Sequence, residues 1–253
     1  LRVGIVGASG YTGSELIRFL VTHPEQVELT CVTSRTFAGQ YVSRVLPNLR
    51  GLVDLKFEVP NIEDVADKVD IVFLGLPHKS SMEFAPKFLD FGIKVIDFSA
   101  DYRLKSVEVY EKWYQEHTSP DLLKEAVYGL PELHRAEIHG ASLIANPGCY
   151  PTGAILALLP ALKSGAAETE GIIVDAKSGI SGAGKTPAEA THFPNRYDNF
   201  TAYKVGSHRH QPEIEQELSS AIGSDITICF VPHYVPMSRG ILTTAYLRLS
   251  DSI

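Results

Sequence analysis

Cysteine, methionine and tryptophan are all scarce in this chain of 253 residues, at three, two and one. Three cysteines, an odd number without framework spacing, exclude a disulfide-stapled scaffold and point to a reducing compartment, the cytoplasm. No apolar stretch approaches the ~20 residues that span a bilayer, and no signal peptide precedes the first apolar strand, so no membrane anchor or secretion is expected. Basic clusters are missing and the net charge is -7, which argues against a broad nucleic-acid surface. Internal repeats and low-complexity segments are absent too. Leu1 stands where a Met would open a chain, so the amino end is expected to be trimmed. The remainder, 44% hydrophobic and 21% charged, is globular in composition and long enough for one large domain or two ordinary ones.

Glycine, by contrast, is plentiful. Leu1 to Val6 reads as a short buried strand, Gly7-Ala8-Ser9-Gly10-Tyr11-Thr12-Gly13 follows, and Leu16, Ile17, Phe19 and Leu20 recur at helical spacing. Strand, glycine loop and helix in that order form the context of a dinucleotide fingerprint: glycines permit the tight turn, and helix N–H groups face a pyrophosphate. The spacing is G-x-x-G-x-x-G, and an ordinary glycine turn is the plain alternative. Its place at the start of a βα unit favours a cofactor loop built of Gly7, Ser9, Gly10, Tyr11, Thr12 and Gly13. The next strand, Val27 to Val32, closes on Thr33-Ser34-Arg35 with no acid for a ribose diol. A hydroxyl and a guanidinium suit a 2′-phosphate, so Ser34 and Arg35 favour NADP(H) over NAD(H).

Val69 to Gly75 is a third buried strand, and ligands of open α/β sheets bind at such carboxyl ends. Gly75, Leu76 and Pro77 are therefore expected beside the cofactor, while His78 either approaches it or caps the next helix. Lys94 to Phe98 is a further strand. The polar cluster after it, Ser99-Ala100-Asp101-Tyr102-Arg103, reads equally as a substrate wall or as capping and turn residues. Val107 to His117 has the pattern of an amphipathic surface helix. Ala141 to Ala145 is a strand leading into Asn146-Pro147-Gly148-Cys149-Tyr150-Pro151-Thr152. Pro151 suits a first helical turn, and Ala154 to Leu162 supply the apolar face. Cys149 thus falls at a helix mouth, where unpaired N–H groups and the dipole favour a thiolate nucleophile. A small buried cysteine is the commoner fate of the residue. That reading fits Cys31 and Cys229, each inside an apolar strand, better than Cys149.

Gly171 to Ala176 is a strand, and Gly179 to Thr186 then matches the P-loop pattern G-x-x-x-x-G-K-T without mismatch. Pro187 and Pro194 leave little room for the long helix which that motif opens, and no later strand ends in an acid to hold magnesium. The stretch reads as a glycine loop whose Ser and Lys groups hold an anion. In His208-Arg209-His210-Gln211-Pro212-Glu213, Pro212 puts His210 at another helix mouth. No Cys or acid at recognised spacing completes a metal site with the histidines; beside a thiolate, an acid/base role is the better reading. Ile226 to Val231 and Gly240 to Leu249 alternate as antiparallel strands do. The expected class is α/β: a Rossmann-type doubly wound domain over 1–148, then an α+β catalytic and oligomerisation domain over 149–253 with a mostly antiparallel sheet.

Four blocks, Gly7 to Gly13, Asn146 to Thr152, Ser178 to Lys185 and His208 to Ile214, resemble in order and separation the N-acetyl-gamma-glutamyl-phosphate reductases, NADPH enzymes of arginine biosynthesis in the aspartate-semialdehyde dehydrogenase superfamily. The resemblance covers nearly the whole chain. It implies that Cys149 is acylated by a small acyl phosphate with loss of inorganic phosphate, and that His210, with His208 in reserve, is the acid/base. It also implies that Ser178 and Gly179 lie against the cofactor and bind no ATP. Asn146, Ser181, Lys185, Arg103 and Arg209 become candidates to hold the substrate. A homo-oligomer, dimer or tetramer, is implied through the exposed sheet face. Family chains run several dozen residues past the equivalent of Ile253, so this sequence is expected to be a shortened one with weakened NADP binding and activity. The competing readings are a sister aminoadipyl-phosphate reductase of lysine biosynthesis, the P-loop hydrolase, a non-catalytic NADP sensor and a short-chain dehydrogenase. The last needs Tyr-x-x-x-Lys, which none of the eleven tyrosines supplies.

Overall fold

Every pairing in the first sheet is parallel. The computed structural model describes residues 1–251 and divides into two units, the first being Leu1–Asn146. In chain order that unit comprises β1 (Arg2–Val6), α1 (Tyr11–Val21), β2 (Glu28–Val32), α2 (Val42–Val45), α3 (Ile62–Ala66), β3 (Ile71–Leu74), α4 (Ser81–Asp90), β4 (Lys94–Asp97), α5 (Val107–Trp113), α6 (Leu122–Glu125), β5 (Val127–Tyr128), α7 (Pro131–Gly140) and β6 (Leu143–Ala145). The sheet order is β2-β1-β3-β4-β6-β5. From β1 the chain goes to β2 on one side and returns to β3 on the other, which makes the carboxyl ends of β1 and β3 the switch point of the sheet.

Successive side chains of a strand point to opposite faces, and both faces are covered. Val3 and Ile5 of β1 join Ile17 and Leu20 of α1 in one cluster. Val6, Val72 and Leu74 join Phe84 and Phe88 of α4 in another. This is the doubly wound arrangement expected from the sequence. The helix expected to reach His117 is shorter and less superficial. It ends at Trp113, Tyr114 turns to φ −127° and ψ −83°, and Tyr110 is fully buried. His117, beyond the helix, is buried and donates from Nε2 to the Asp101 carbonyl at 2.7 Å.

The second unit, from Pro147 onward, contains α8 (Cys149–Lys163), β7 (Ile172–Ser178), α9 (Phe193–Arg196), β8 (Thr201–Ala202), α10 (Gln211–Ile222), β9 (Ile228–Tyr234) and β10 (Ile241–Tyr246). Its sheet, ordered β10-β7-β9-β8, is mixed. The two outer pairings are antiparallel, as expected, but the central one, β7 with β9, is parallel along its whole length. Parallel neighbours need a crossover connection, and α10 lies within it; alternation reports which face a residue takes, not strand direction. Ile172, Val174, Ile228 and Phe230 face inward with Ile155, Leu158 and Leu162 of α8 and Ile214 and Leu218 of α10, all buried. Each such side chain contributes roughly 2 kcal/mol by leaving water. Gly153 lets α8 approach β10, since a Cβ there would lie 2.9 Å from Thr243 Oγ1. Cys229, read as a buried residue, is exposed instead, because alternation between Ile228 and Phe230 turns it to the outer face.

Candidate active site

Backbone approach fixes the first glycine loop. Gly7 takes φ +85°, and a Cβ there would lie 2.5 Å from the Gly75 carbonyl oxygen. A Cβ on Gly13 would lie 2.4 Å from the Ala8 oxygen. Gly10, the N-cap of α1, has nothing within 4 Å of the position a Cβ would take. With no side chain to cap it, the first N–H groups of α1 are left for an anion, which is the cradle a pyrophosphate needs. The loop is fastened to the end of β2: Ala8 N–H donates to the Thr33 carbonyl (2.9 Å), Gly7 N–H to Thr33 Oγ1 (3.3 Å), and the Ser9 and Ser34 hydroxyls are 2.9 Å apart. Ser34 is buried, and Arg35, Tyr11, Thr12 and Pro77 are exposed around it and the loop, with Gly75 and Leu76 half-buried. The switch point therefore gathers the expected cofactor residues of the first unit.

The polar cluster after β4 is built into the fold. Asp97, Ser99, Asp101, Tyr102 and Arg103 are all buried. Burial pushes the Asp97 carboxyl up to about 6, against hydrogen bonds from the Ser99 hydroxyl and N–H that act the other way. Arg103 donates from Nε to the Asn146 carbonyl (2.7 Å) and from Nη2 to the Phe98 carbonyl (2.8 Å), holding the ends of β4 and β6. His78 accepts the Ala100 N–H at its Nδ1, at 2.9 Å.

In the second unit Gly148 is the N-cap of α8 and Cys149 its first residue, exposed to solvent. The Gly148 N–H donates to Glu213 Oε1 at 2.8 Å. Glu213 is buried and lies in the first turn of α10, whose N-cap is His210. The neighbouring Tyr150 ring sits edge-on to His208 (5.5 Å) and His210 (5.9 Å). Two helix mouths thus come together, one carrying the thiol and the other the histidines. His208 accepts the His210 N–H at Nδ1 (3.1 Å), which leaves its proton on Nε2. It is boxed by Tyr150, Tyr203 and Phe230. Burial, then Lys204 and Arg209, pushes its pKa down to about 4, so it is neutral near pH 7. The phenol of Tyr150 is linked to Tyr203 and Ser178, and burial pushes its pKa up.

Ser178 closes β7, buried. Gly179 packs on a backbone, since a Cβ there would lie 2.8 Å from Arg239 N. The stretch that matched a P-loop forms only a 3₁₀ turn, Ile180–Ala183, stopped at Gly184 with φ +90°. No helix opens from Thr186, which removes the hydrolase reading. Ser181 and Arg209 are half-buried and Lys185 is exposed. Sequence reasoning missed Glu213 and Tyr150. The signal was present in α10, where Glu213 and Glu217 share the inward face with Ile214 and Leu218.

A parallel sheet with a glycine loop at its switch point, followed by a unit with a thiol at a helix mouth, defines the semialdehyde dehydrogenase class. Residues 2–141 match the family model for the semialdehyde dehydrogenase NAD-binding domain, and residues 149–253 the model for the dimerisation domain. An aspartate semialdehyde dehydrogenase II of Vibrio cholerae, 20% identical, superposes with a TM-score of 0.72 over 98% of this chain and 74% of its own. Among curated relatives, the N-acetyl-gamma-glutamyl-phosphate reductase of Syntrophobacter fumaroxidans is 54% identical over 100% of this chain and 73% of its own length. That of Methanothrix thermoacetophila is 52% identical, with 100% and 72% covered. The chain belongs to the N-acetyl-gamma-glutamyl-phosphate reductase family.

Proposed function

We propose that the chain catalyses the NADPH-dependent reductive dephosphorylation of N-acetyl-L-glutamyl 5-phosphate to N-acetyl-L-glutamate 5-semialdehyde, in arginine biosynthesis, through a thioester on Cys149. The observation that carries the reading is an exposed thiol at the first position of α8, beside a helix mouth bearing two buried histidines. The glycine loop from Gly7 to Gly13, with Ser34, Arg35, Gly75, Leu76 and Pro77, would hold the cofactor's phosphates and ribose. NADPH, when bound, supplies a hydride.

The thiolate of Cys149 attacks the acyl carbon, the C–O bond to phosphate breaks, and inorganic phosphate leaves. The Tyr150 N–H, next along the first turn of α8, steadies the oxyanion, because the Gly148 N–H is already given to Glu213. After reduction the carbon–sulfur bond breaks and Cys149 departs as thiolate. The histidines divide the proton work: His208, neutral with its proton on Nε2, donates a hydrogen bond, and His210 takes and returns the proton. Lys185 and Arg209, with Ser181 and the Asn146 side chain, hold the substrate's anionic groups; Arg103 acts on the Asn146 backbone. The outer face of the mixed sheet, with Leu242 67% exposed and Tyr246 53%, packs against a second copy. Residence in the cytoplasm agrees with three cysteines of which none is in a disulfide.

The test is Cys149→Ser. Turnover is abolished and NADPH binding is unchanged. With the acyl phosphate alone, the unsubstituted protein releases one equivalent of phosphate and gains the acyl mass on Cys149. Turnover surviving in the variant refutes the covalent route.

A further inference from the structure

We propose that Asp101 is a positioning residue for the dinucleotide, holding the loop between β3 and α4 in the shape that meets the glycine loop. The inference rests on the NADPH reading above. The Asp101 carboxylate is fully buried and gathers four donors. Its Oδ1 accepts the Lys79 N–H (2.8 Å) and the Tyr110 phenol (2.9 Å). Its Oδ2 accepts the N–H groups of Ser81 (3.0 Å) and Met82 (3.4 Å). Those last two are the first N–H groups of α4, and the side chain of its own N-cap, Ser80, makes no capping bond. A carboxylate from the end of another strand therefore caps this helix.

The same carboxylate pins Lys79 at φ +78°, a left-handed conformation that residues with a Cβ disfavour. The turn carrying Asp101 is itself braced. The Ser99 hydroxyl donates to Asp97 Oδ2 (2.6 Å) and accepts the Asp101 N–H (3.0 Å), while Ala100 ties down His78. Everything held follows directly on Gly75, whose carbonyl abuts Gly7. A cap serving α4 alone would come from its own N-terminal turn. Drawing it from the turn after β4 locks the ends of β3 and β4 together beside β1, where the phosphates of a dinucleotide would lie.

The test is Asp101→Asn, which keeps the shape but turns an amide NH₂ toward N–H donors. The Kd and KM for NADPH rise about tenfold, while kcat and the KM for the acyl phosphate stay within about twofold. Lys79→Gly removes the need to enforce a left-handed residue. Added to Asp101→Asn, it recovers roughly half of the lost binding on a logarithmic scale, and alone it changes little. An unchanged Kd in Asp101→Asn, or a loss that Lys79→Gly leaves untouched, overturns the proposal. Should Asp101→Asn not fold, hydrogen exchange on the unsubstituted protein decides: the amides of Lys79, Ser81 and Met82 are protected, and exchange at open-chain rates overturns it. An unsubstituted chain that binds no NADPH would instead overturn the functional reading and this inference with it.

Discussion

Acid is the perturbation that tests the division of labour between the two histidines. His208 has its pKa lowered from 6.5 to about 4, first by burial and then by Lys204 and Arg209. A depressed pKa means the unfolded chain binds the proton more readily than the folded one. The neutral ring's contribution is therefore complete above pH 6.5 and is lost as pH falls toward 4. At 1.36 kcal/mol per unit the shift corresponds to about 3 kcal/mol. The direct assay is an NMR titration of His208 Cε1–H, which is expected to stay flat from pH 8 to 5 and to turn only near 4. The energetic assay compares the protein with His208→Gln: the stability difference narrows by about 3 kcal/mol between pH 7 and 4. The acid limb of the rate profile then belongs to a group other than His208. A midpoint at or above about 6, or parallel stability curves, would refute the argument and return His208 to contention as the base.

Two further outcomes follow from packing. Gly13→Ala would place a Cβ 2.4 Å from the Ala8 oxygen; because the obstacle is backbone, the cost is about 3 kcal/mol, with a lowered Tm in thermal unfolding and loss of NADPH binding. A variant as stable and as tight as the parent would show that the loop yields. Leu242→Lys puts a charge on the outer face of β10 and shifts the protein toward monomer in sedimentation; an unchanged assembly would move the interface elsewhere.

Much of this molecule could be read from local pattern. β1, its glycine loop and α1 are written in consecutive residues, and so is the proline-flanked turn that sets Cys149 at the start of α8. The two carboxyl-terminal strands were evident from alternation. What stayed hidden depends on distant partners. The parallel match of Ile172 with Ile228 leaves no trace in either strand. Asp101 and Arg103 were open to reading as a substrate wall or as turn residues, and only the arrival of Lys79, Ser81, Phe98 and Asn146 around them makes them interior. Glu213 looked like a routine acid in a first helical turn, and its partner is an amide on another helix. Cys229 was misjudged because strand membership alone does not say which face a residue takes.

The parallel pairing of β7 with β9 also bears on how the chain is born. All six strands of the first sheet are made by Ala145, whereas β7 must await β9 and β10 on either flank. At roughly 5–20 residues per second of synthesis, that wait lasts several seconds. Until then the backbone groups of Ile172, Ile173 and Val174 lack the partners that β9 and β10 supply. An unpaired strand edge of this kind is what other chains pair with, so the stretch most open to misassembly lies in β7 and not in the amino-terminal sheet.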